Sequence, residues 1–411
     1  MDLIIRRARV EDRDGLVDIG IAGDRIDAVA ASIAADCDAE IDADGRLVSP
    51  AFVEPHIHLD KVGVLPFLPP NRSGTLDEAI SLLHQTKRAA TVEQIAERAG
   101  RVIRQAVMAG TTTIRTHVDV DTIGGLRPLE GVDRARAEHA DLCDIQIVAF
   151  PQEGIERDPG TDELMRSAMR GGADVVGGMP HWESDRDAAQ RHIDFCLDLA
   201  VEHDAPVDMH IDETDDPASR TLELLVDAVD ARGWGPRTNA GHCCAMAAWE
   251  DEYAAKVIAR LAETDVSIVT NPCTNLLLQG REDSEPRRRG IPRVKELLAA
   301  GVRMGCGQDC VEDAFYPFGS ADQLQVALIL AHAAQLSEPP QIAQALHMPR
   351  GGAASIVGLS DYGIHAGARG DVVVLDAETP EEALRLQAPR RWVLHGGRVV
   401  AETQTTAVLN R

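Results

Sequence analysis

His56 and His58 stand two apart in Glu54-Pro55-His56-Ile57-His58-Leu59-Asp60, and on an extended strand residues two apart point to the same side. Two imidazoles so placed can share one metal ion; the alternative is a pair of surface or capping histidines. The metal reading gains weight because further ligand types recur where later apolar runs end. Val207-Asp208-Met209-His210-Ile211-Asp212-Glu213 supplies a histidine with a carboxylate three residues on, Ala240-Gly241-His242 another histidine, and Met304-Gly305-Cys306-Gly307-Gln308-Asp309 an aspartate. One shared site explains these strand-end groups more simply than four accidents. Mixed imidazole and carboxylate ligands suit a divalent cation, and such a cation brings the pKa of water from about 15.7 towards roughly 7.

Groups of this kind need strands that stop at a common rim. Apolar runs at Thr112–Val118, Ile145–Phe150, Ala173–Val176, Pro206–Met209, Val266–Val269 and Val302–Gly305 alternate with helical patterns such as Ile95, Ala99, Val102, Ile103, Ala106 and Val107. This alternation predicts a parallel α/β architecture, and its length fits a (β/α)8 TIM-type barrel, which keeps its active site at the C-terminal ends of its strands. No Gly-x-Gly-x-x-Gly follows any run, which disfavours a dinucleotide-binding sheet. Both ends of the chain read as β-rich. Strands are predicted at Leu3–Val10, Leu16–Ile21, Arg25–Ala30 and Ala43–Val48, with a turn at Gly23-Asp24, and again at Asp371–Leu375, Trp392–Leu394 and Arg398–Ala401 around the two-residue turn Gly396-Gly397.

Composition narrows the partners. The 411 residues are 44% hydrophobic and 26% charged, ordinary globular usage, and the formal charge of −26 repels phosphate backbones and anionic lipid heads. The expectation is no nucleic acid, no membrane and a small neutral or cationic ligand. No run approaches 18 apolar residues, and Arg6, Arg7 and Arg9 directly follow Leu3-Ile4-Ile5, so no export signal is read. The eight cysteines form no C-x-x-C pair and suit reduced thiols, so a cytoplasmic location is expected.

The order His-x-His, His, His, Asp over successive strand ends resembles the amidohydrolase superfamily. Glu54–Asp60, Ser73-Gly74-Thr75-Leu76, Arg115-Thr116-His117-Val118-Asp119-Val120, Ile147–Ile155 and Gln279-Gly280-Arg281 resemble the bacterial cytosine deaminases within it, and the similarity runs from about Leu47 to Val374. The resemblance implies a distorted (β/α)8 barrel over residues 50–364, with a small β-sandwich domain built from both termini, residues 1–49 and 365–411. It implies the metal ligands His56, His58, His210 and Asp309 around one divalent ion, Fe2+ or Zn2+. Members with two metals usually bridge them through a carboxylated lysine on the third or fourth strand, and Lys61, Lys87, Lys256 and Lys295, the only lysines, do not stand at such a strand end, which favours a single metal. Asp309 and His242 would activate water, His242 would also polarise the developing oxyanion, and Glu213 would protonate ring N3 and help ammonia depart. A helix N-terminal carboxylate is the alternative role for Glu213. Gln152 would bind the pyrimidine, with Leu76, Cys310 and Phe315 lining the rest of the pocket. His117 and Asp119 are read as supporting groups, His181 as a neighbour of undetermined role, and Arg287-Arg288-Arg289 as a solvated basic turn.

The sequence departs from that family at Gly307-Gln308-Asp309-Cys310, where the family reads Gly-His-Asp-Asp, and at Phe315, where tryptophan is common. Cysteine is smaller than aspartate and behaves as a soft hydrophobe. With Cys310 facing C5 of the ring, 5-methylcytosine is expected to be accepted at least as well as cytosine. The expected reaction is metal-dependent hydrolytic deamination of a cytosine-type free base to uracil or thymine plus ammonia. Another amino-heterocycle, such as isoguanine or a triazine, is the competing substrate. A metal-free binding protein on the same barrel is the competing class, and homo-oligomer formation is left open.

Overall fold

Thr91 and Gln94 exchange both hydrogen bonds of a capping box and so start the helix Val92–Met108. Its predicted apolar face, Ile95, Ala99, Val102, Ile103, Ala106 and Val107, is buried. Such helices wrap a strand layer in the computed structural model of the chain, which describes residues 1–410.

Strands β1 (Leu3–Ala8), β2 (Val17–Ala22), β3 (Arg25–Ala30) and β4 (Ala39–Asp42) form a sheet in the order β3-β2-β1-β4. The strand predicted over Ala43–Val48 is instead broken by a turn at Asp44-Gly45, both in the left-handed region at φ 52° and 74°. That turn moves the chain into a second sheet as β5 (Leu47–Pro50). Next come β6 (Phe52–Ile57), β7 (Thr111–Asp119), β8 (Asp144–Phe150), β9 (Val175–Gly178), β10 (Val207–Ile211), β11 (Thr238–His242), β12 (Ser267–Thr270) and β13 (Met304–Cys306). They form one parallel eight-stranded sheet in sequence order. Strands β14 (Val372–Leu375), β15 (Arg390–His395) and β16 (Arg398–Glu402) complete the second terminal sheet, ordered β16-β15-β14-β5.

Period-two alternation glues these layers together. Val372 and Val374 of β14 pack with Ile5, Ile19 and Val48 between the two terminal sheets. Val373 and Leu375 point the other way and pack with Phe52, Leu324 and Leu346 of the barrel unit. Gly396 and Gly397 turn β15 into β16 at φ 52° and 75°, as their spacing predicts.

The barrel strands are buried on both faces, as parallel strands under a helical coat must be. The barrel is nearly closed. β13 and β6 share no ladder; the seam is spanned by one bridge, Ile57 to Asp309, in which the His58 N–H donates to the Asp309 carbonyl (3.1 Å) and the Asp309 N–H to the His56 carbonyl (2.8 Å). No helix among the described residues is long and apolar enough to cross a membrane.

Candidate active site

Strand alternation turns His56 and, just past the end of β6, His58 towards the barrel interior, where His210 of β10 and Asp309 after β13 meet them. His58 Nε2 and His210 Nε2 are 3.1 Å apart. Asp309 Oδ1 lies 3.3 Å from His58 Nε2 and 3.6 Å from His56 Nε2, and one ligand atom from each of the four residues falls within 4.8 Å of the others. Burial, reinforced by the neighbouring imidazoles and, for His56 and His58, by Lys61, holds the three histidines neutral by pushing their pKa values well below the ordinary range. Both ring nitrogens of His56, and Nδ1 of His58 and of His210, have no partner in the protein. Nε2 of His56 and of His58 converge beside the Asp309 carboxylate, with His210 Nε2 against His58 Nε2, and a neutral imidazole nitrogen set next to a carboxylate is the donor set of a divalent cation, which these residues fit.

The backbone supports this arrangement. Asp309 and His242 adopt φ 67° and 69°, a left-handed conformation uncommon outside glycine that clusters at functional sites. Behind this cluster, the buried Glu54 carboxyl accepts the His56 N–H (2.9 Å) and the Gln308 N–H (3.1 Å), while burial raises its pKa to about 8.

Asp212 and Glu213 leave β10 together and then part. Asp212 accepts from Ser219 Oγ (2.6 Å) and from the Thr221 and Leu222 N–H groups (2.9 and 3.0 Å), so it satisfies the first amides of the helix Thr221–Arg232. The capping role weighed for Glu213 therefore belongs to its neighbour. Glu213 Oε1 lies 3.1 Å from His242 Nδ1, and Asn275 Nδ2 donates to the same oxygen at 3.0 Å. Asn271 Nδ2 lies 3.3 Å from His242 Nε2. Burial disfavours the imidazolium, but Glu213 and then Asp309 outweigh it and raise the His242 pKa to about 9. Asn271 and Asn275 escaped the sequence reading. The available signal was their four-residue spacing just after the run Val266–Val269, which places both on one side of the short helix Pro272–Leu278.

The expected substrate residues divide. Leu76 lines a cleft of about 490 Å³ with Glu213, His181, Trp182, Leu278 and Arg281. Gln152, Cys310 and Phe315 do not line that cleft and are buried. Cys310 Sγ sits 3.6 Å from Asp309 Oδ1 and packs with Phe315, Leu83 and Leu278. Phe150 stacks on the His210 ring, centroids 4.1 Å apart. Gln152 Oε1 accepts from Lys61 Nζ at 3.0 Å, and Lys61 donates to Asp119 Oδ1 at 2.6 Å. Lys61 thus stands beside the candidate site, a placement its position in the sequence did not reveal. Asp119 also pairs with Lys87 (2.7 Å), and His117 packs against His56 while facing Asp208. Both ring nitrogens of His181 are buried without a partner. In the basic turn, Arg287 is exposed, but Arg288 is fastened to Asp283 (2.6 Å) and to the Asp215 carbonyl on the cleft rim.

Comparison with known proteins agrees with this geometry. The chain superposes on 5-methylcytosine deaminase from Klebsiella pneumoniae with TM-score 0.95, 37% identity and 99% of each chain covered. It is 33% identical to an N-isopropylammelide isopropyl amidohydrolase of Pseudomonas sp. over 98% of both chains. It is also 30% identical to a pterin deaminase of Rhizobium rhizogenes over 88% of this chain and 82% of that one. A family profile described as "Amidohydrolase family" matches residues 39–401, and the chain therefore belongs to that family, as a hydrolase of C–N bonds.

Proposed function

We propose that the protein hydrolytically deaminates a cytosine-type free base, with 5-methylcytosine accepted at least as well as cytosine. The observation that carries this reading is the meeting, at one rim, of the His56, His58, His210 and Asp309 cluster with the Glu213–His242 pair. The 5-methylcytosine deaminase likeness supports the pyrimidine. The four cluster residues would hold one divalent ion, iron or zinc, which when bound supplies acidified water and charge stabilisation.

The chain's own groups account for the proton traffic. Asp309 takes a proton from the attacking water as the C4–O bond forms. His242, fixed between Glu213, Asn271 and Asn275, faces the negative charge that develops on that oxygen. Glu213 delivers a proton to ring N3, is recharged with the proton that Asp309 took from water and helps pass it to the amine as the C4–N4 bond breaks and ammonia leaves, while the C4 hydroxyl's proton returns to Glu213 as the C4=O bond forms. Gln152 reads the ring edge, and Cys310 leaves room for a 5-methyl group where an aspartate would present a hydrated charge.

A second reading draws on the cleft. Its volume lies within the roughly 300–1,000 Å³ of pockets that hold drug-sized ligands, and it opens beside Glu213. A leaving amine bearing an alkyl group would find space there, and one relative is named for removing an isopropylamino group. Incubating the iron- or zinc-loaded protein with cytosine, 5-methylcytosine, isoguanine, pterin and N-isopropylammelide, and measuring ammonia and isopropylamine, separates the readings. Ammonia release is expected to be fastest from the two pyrimidines. Turnover of the triazine with none of either pyrimidine would overturn the first reading.

A further inference from the structure

A buried lysine that the proton traffic does not use lies beside the group expected to read the substrate edge. Lys61 follows the ligand segment directly, and its ammonium is buried where Gln152, Phe150 and Phe315 meet, 5.7 Å and 5.8 Å from the two ring centroids. Its hydrogen bonds run to Asp119 Oδ1 (2.6 Å) and Gln152 Oε1 (3.0 Å). Asp119 is doubly held, since Lys87 approaches its other oxygen at 2.7 Å.

An ammonium only donates, so the Gln152 atom facing it must be the carbonyl oxygen. A flipped carboxamide would turn its NH2 group on a donor, leaving both buried and unmatched. Gln152 Nε2 then points to Met179 Sδ (3.3 Å), a weak acceptor that leaves its second N–H free. The carbonyl oxygen keeps one lone pair. The side chain therefore shows one donor and one acceptor in a fixed order, whereas an unclamped glutamine shows either order.

Resting on the deaminase reading above, we infer that Lys61 is a positioning residue that locks the Gln152 carboxamide in one orientation and so restricts the site to a lactam edge, a ring N–H beside a C=O. Cytosine carries this edge at N1 and C2. In 2,4-diaminopyrimidine it is reversed, because N1 accepts and the 2-amino group donates, although the hydrolysable 4-amino group is the same. A locked Gln152 meets that edge donor against donor and acceptor against acceptor. A flipped one would match it. Lys61 thus selects 2-oxo over 2-amino heterocycles without touching either.

The test is the ratio of kcat/KM for cytosine to that for 2,4-diaminopyrimidine, measured in the metal-loaded wild type, Lys61→Met and Lys61→Met/Asp119→Asn. The double variant removes the carboxylate that Lys61 leaves behind and stands in if the single variant melts early or loses metal. The wild type is expected to favour cytosine by tenfold or more, since a hydrogen bond to a charged group is worth about that factor. In a folded, metal-replete variant the ratio is expected to fall by about tenfold, mainly through KM. A purely structural role for Lys61 would lower both activities together and leave the ratio fixed, which would overturn the inference. So would a wild type that uses both bases equally well. A wild type that turns over neither base, nor 5-methylcytosine, would sink the deaminase reading itself.

Discussion

Two polar clusters lie inside the same barrel, one layer apart, and are built on opposite principles. Asp208 and His210 are two apart on β10, as Arg115 and His117 are on β7, so each strand sends one residue to each layer. In the lower layer, donors meet acceptors. Arg115 donates to Asp208 Oδ2 (3.0 Å) and Gln146 Oε1 (2.9 Å), Asn239 donates to Asp208 Oδ1 (2.7 Å), and Ser267 to Asn239 Oδ1 (3.1 Å). In the upper layer, the neutral nitrogens of His56, His58 and His210 face one another and a carboxylate, largely unmatched. A buried group that is left unsatisfied costs stability, so the contrast separates a cluster that holds the barrel together from one that awaits something to hold. Burial and charge alone would not separate them, since both are buried and both carry an aspartate.

Substituting each layer in turn puts the contrast at risk. His210→Ala should abolish activity and strip most of the metal, a larger loss than the 10–100-fold typical of an outer-shell partner; full metal content by elemental analysis with normal turnover would mean the upper cluster is no ligand set. Glu213→Gln should keep the metal and lose about 10²–10⁴-fold in kcat, and wild-type turnover would show that the proton comes from elsewhere. Arg115→Met should behave in the reverse way. It leaves Asp208 buried with only Asn239 and His117, so denaturant unfolding should show a loss of about 3–5 kcal/mol, while activity per folded molecule stays near normal. A drop in turnover without a drop in stability would erase the distinction between the layers. The smallest effect belongs to Cys310→Asp, where the 5-methylcytosine to cytosine ratio of kcat/KM should fall by about fourfold, the equivalent of burying one methyl group at about 0.8 kcal/mol. An unchanged ratio would remove Cys310 from substrate selection.

The upper layer was legible in the sequence because candidate metal-binding residue types are rare and stand at the ends of apolar runs, and His56, His58, His210 and Asp309 come together as the amidohydrolase resemblance implies. Most strands were legible for the same reason, since a parallel strand covered on both faces must be continuously apolar. The exceptions are physical. β9 runs to Gly178 rather than ending at Val176, because Gly177 and Gly178 pair with β10 but carry no hydrophobic signal. Ala43–Val48 reads as one strand by composition, yet two left-handed residues divide it between two sheets. The Lys61 contact with Gln152 spans 91 positions, and a lone lysine after a ligand motif gives no hint of which strand end it will meet. Asn271 and Asn275 are the commonplace residues of a helix start until His242 is seen between them.

The seam between β6 and β13 gives the candidate site a mechanical meaning. A hoop fastened all round by ladders would be indifferent to what sits at its rim, but here the ladder gives way to one bridge through the backbones of His56, His58 and Asp309, flanked by the Glu54 carboxyl on the Gln308 N–H and by the Gly63 N–H on the Val311 carbonyl. The three bridge residues also offer side chains to the candidate ion, so any ligand gripping them acts as a clasp on the hoop. Whatever occupies the cluster then stabilises the joined seam by mass action. Amide exchange at His58 and Asp309 should slow as the clasp fills, which makes the first and last barrel strands a gauge of occupancy independent of turnover.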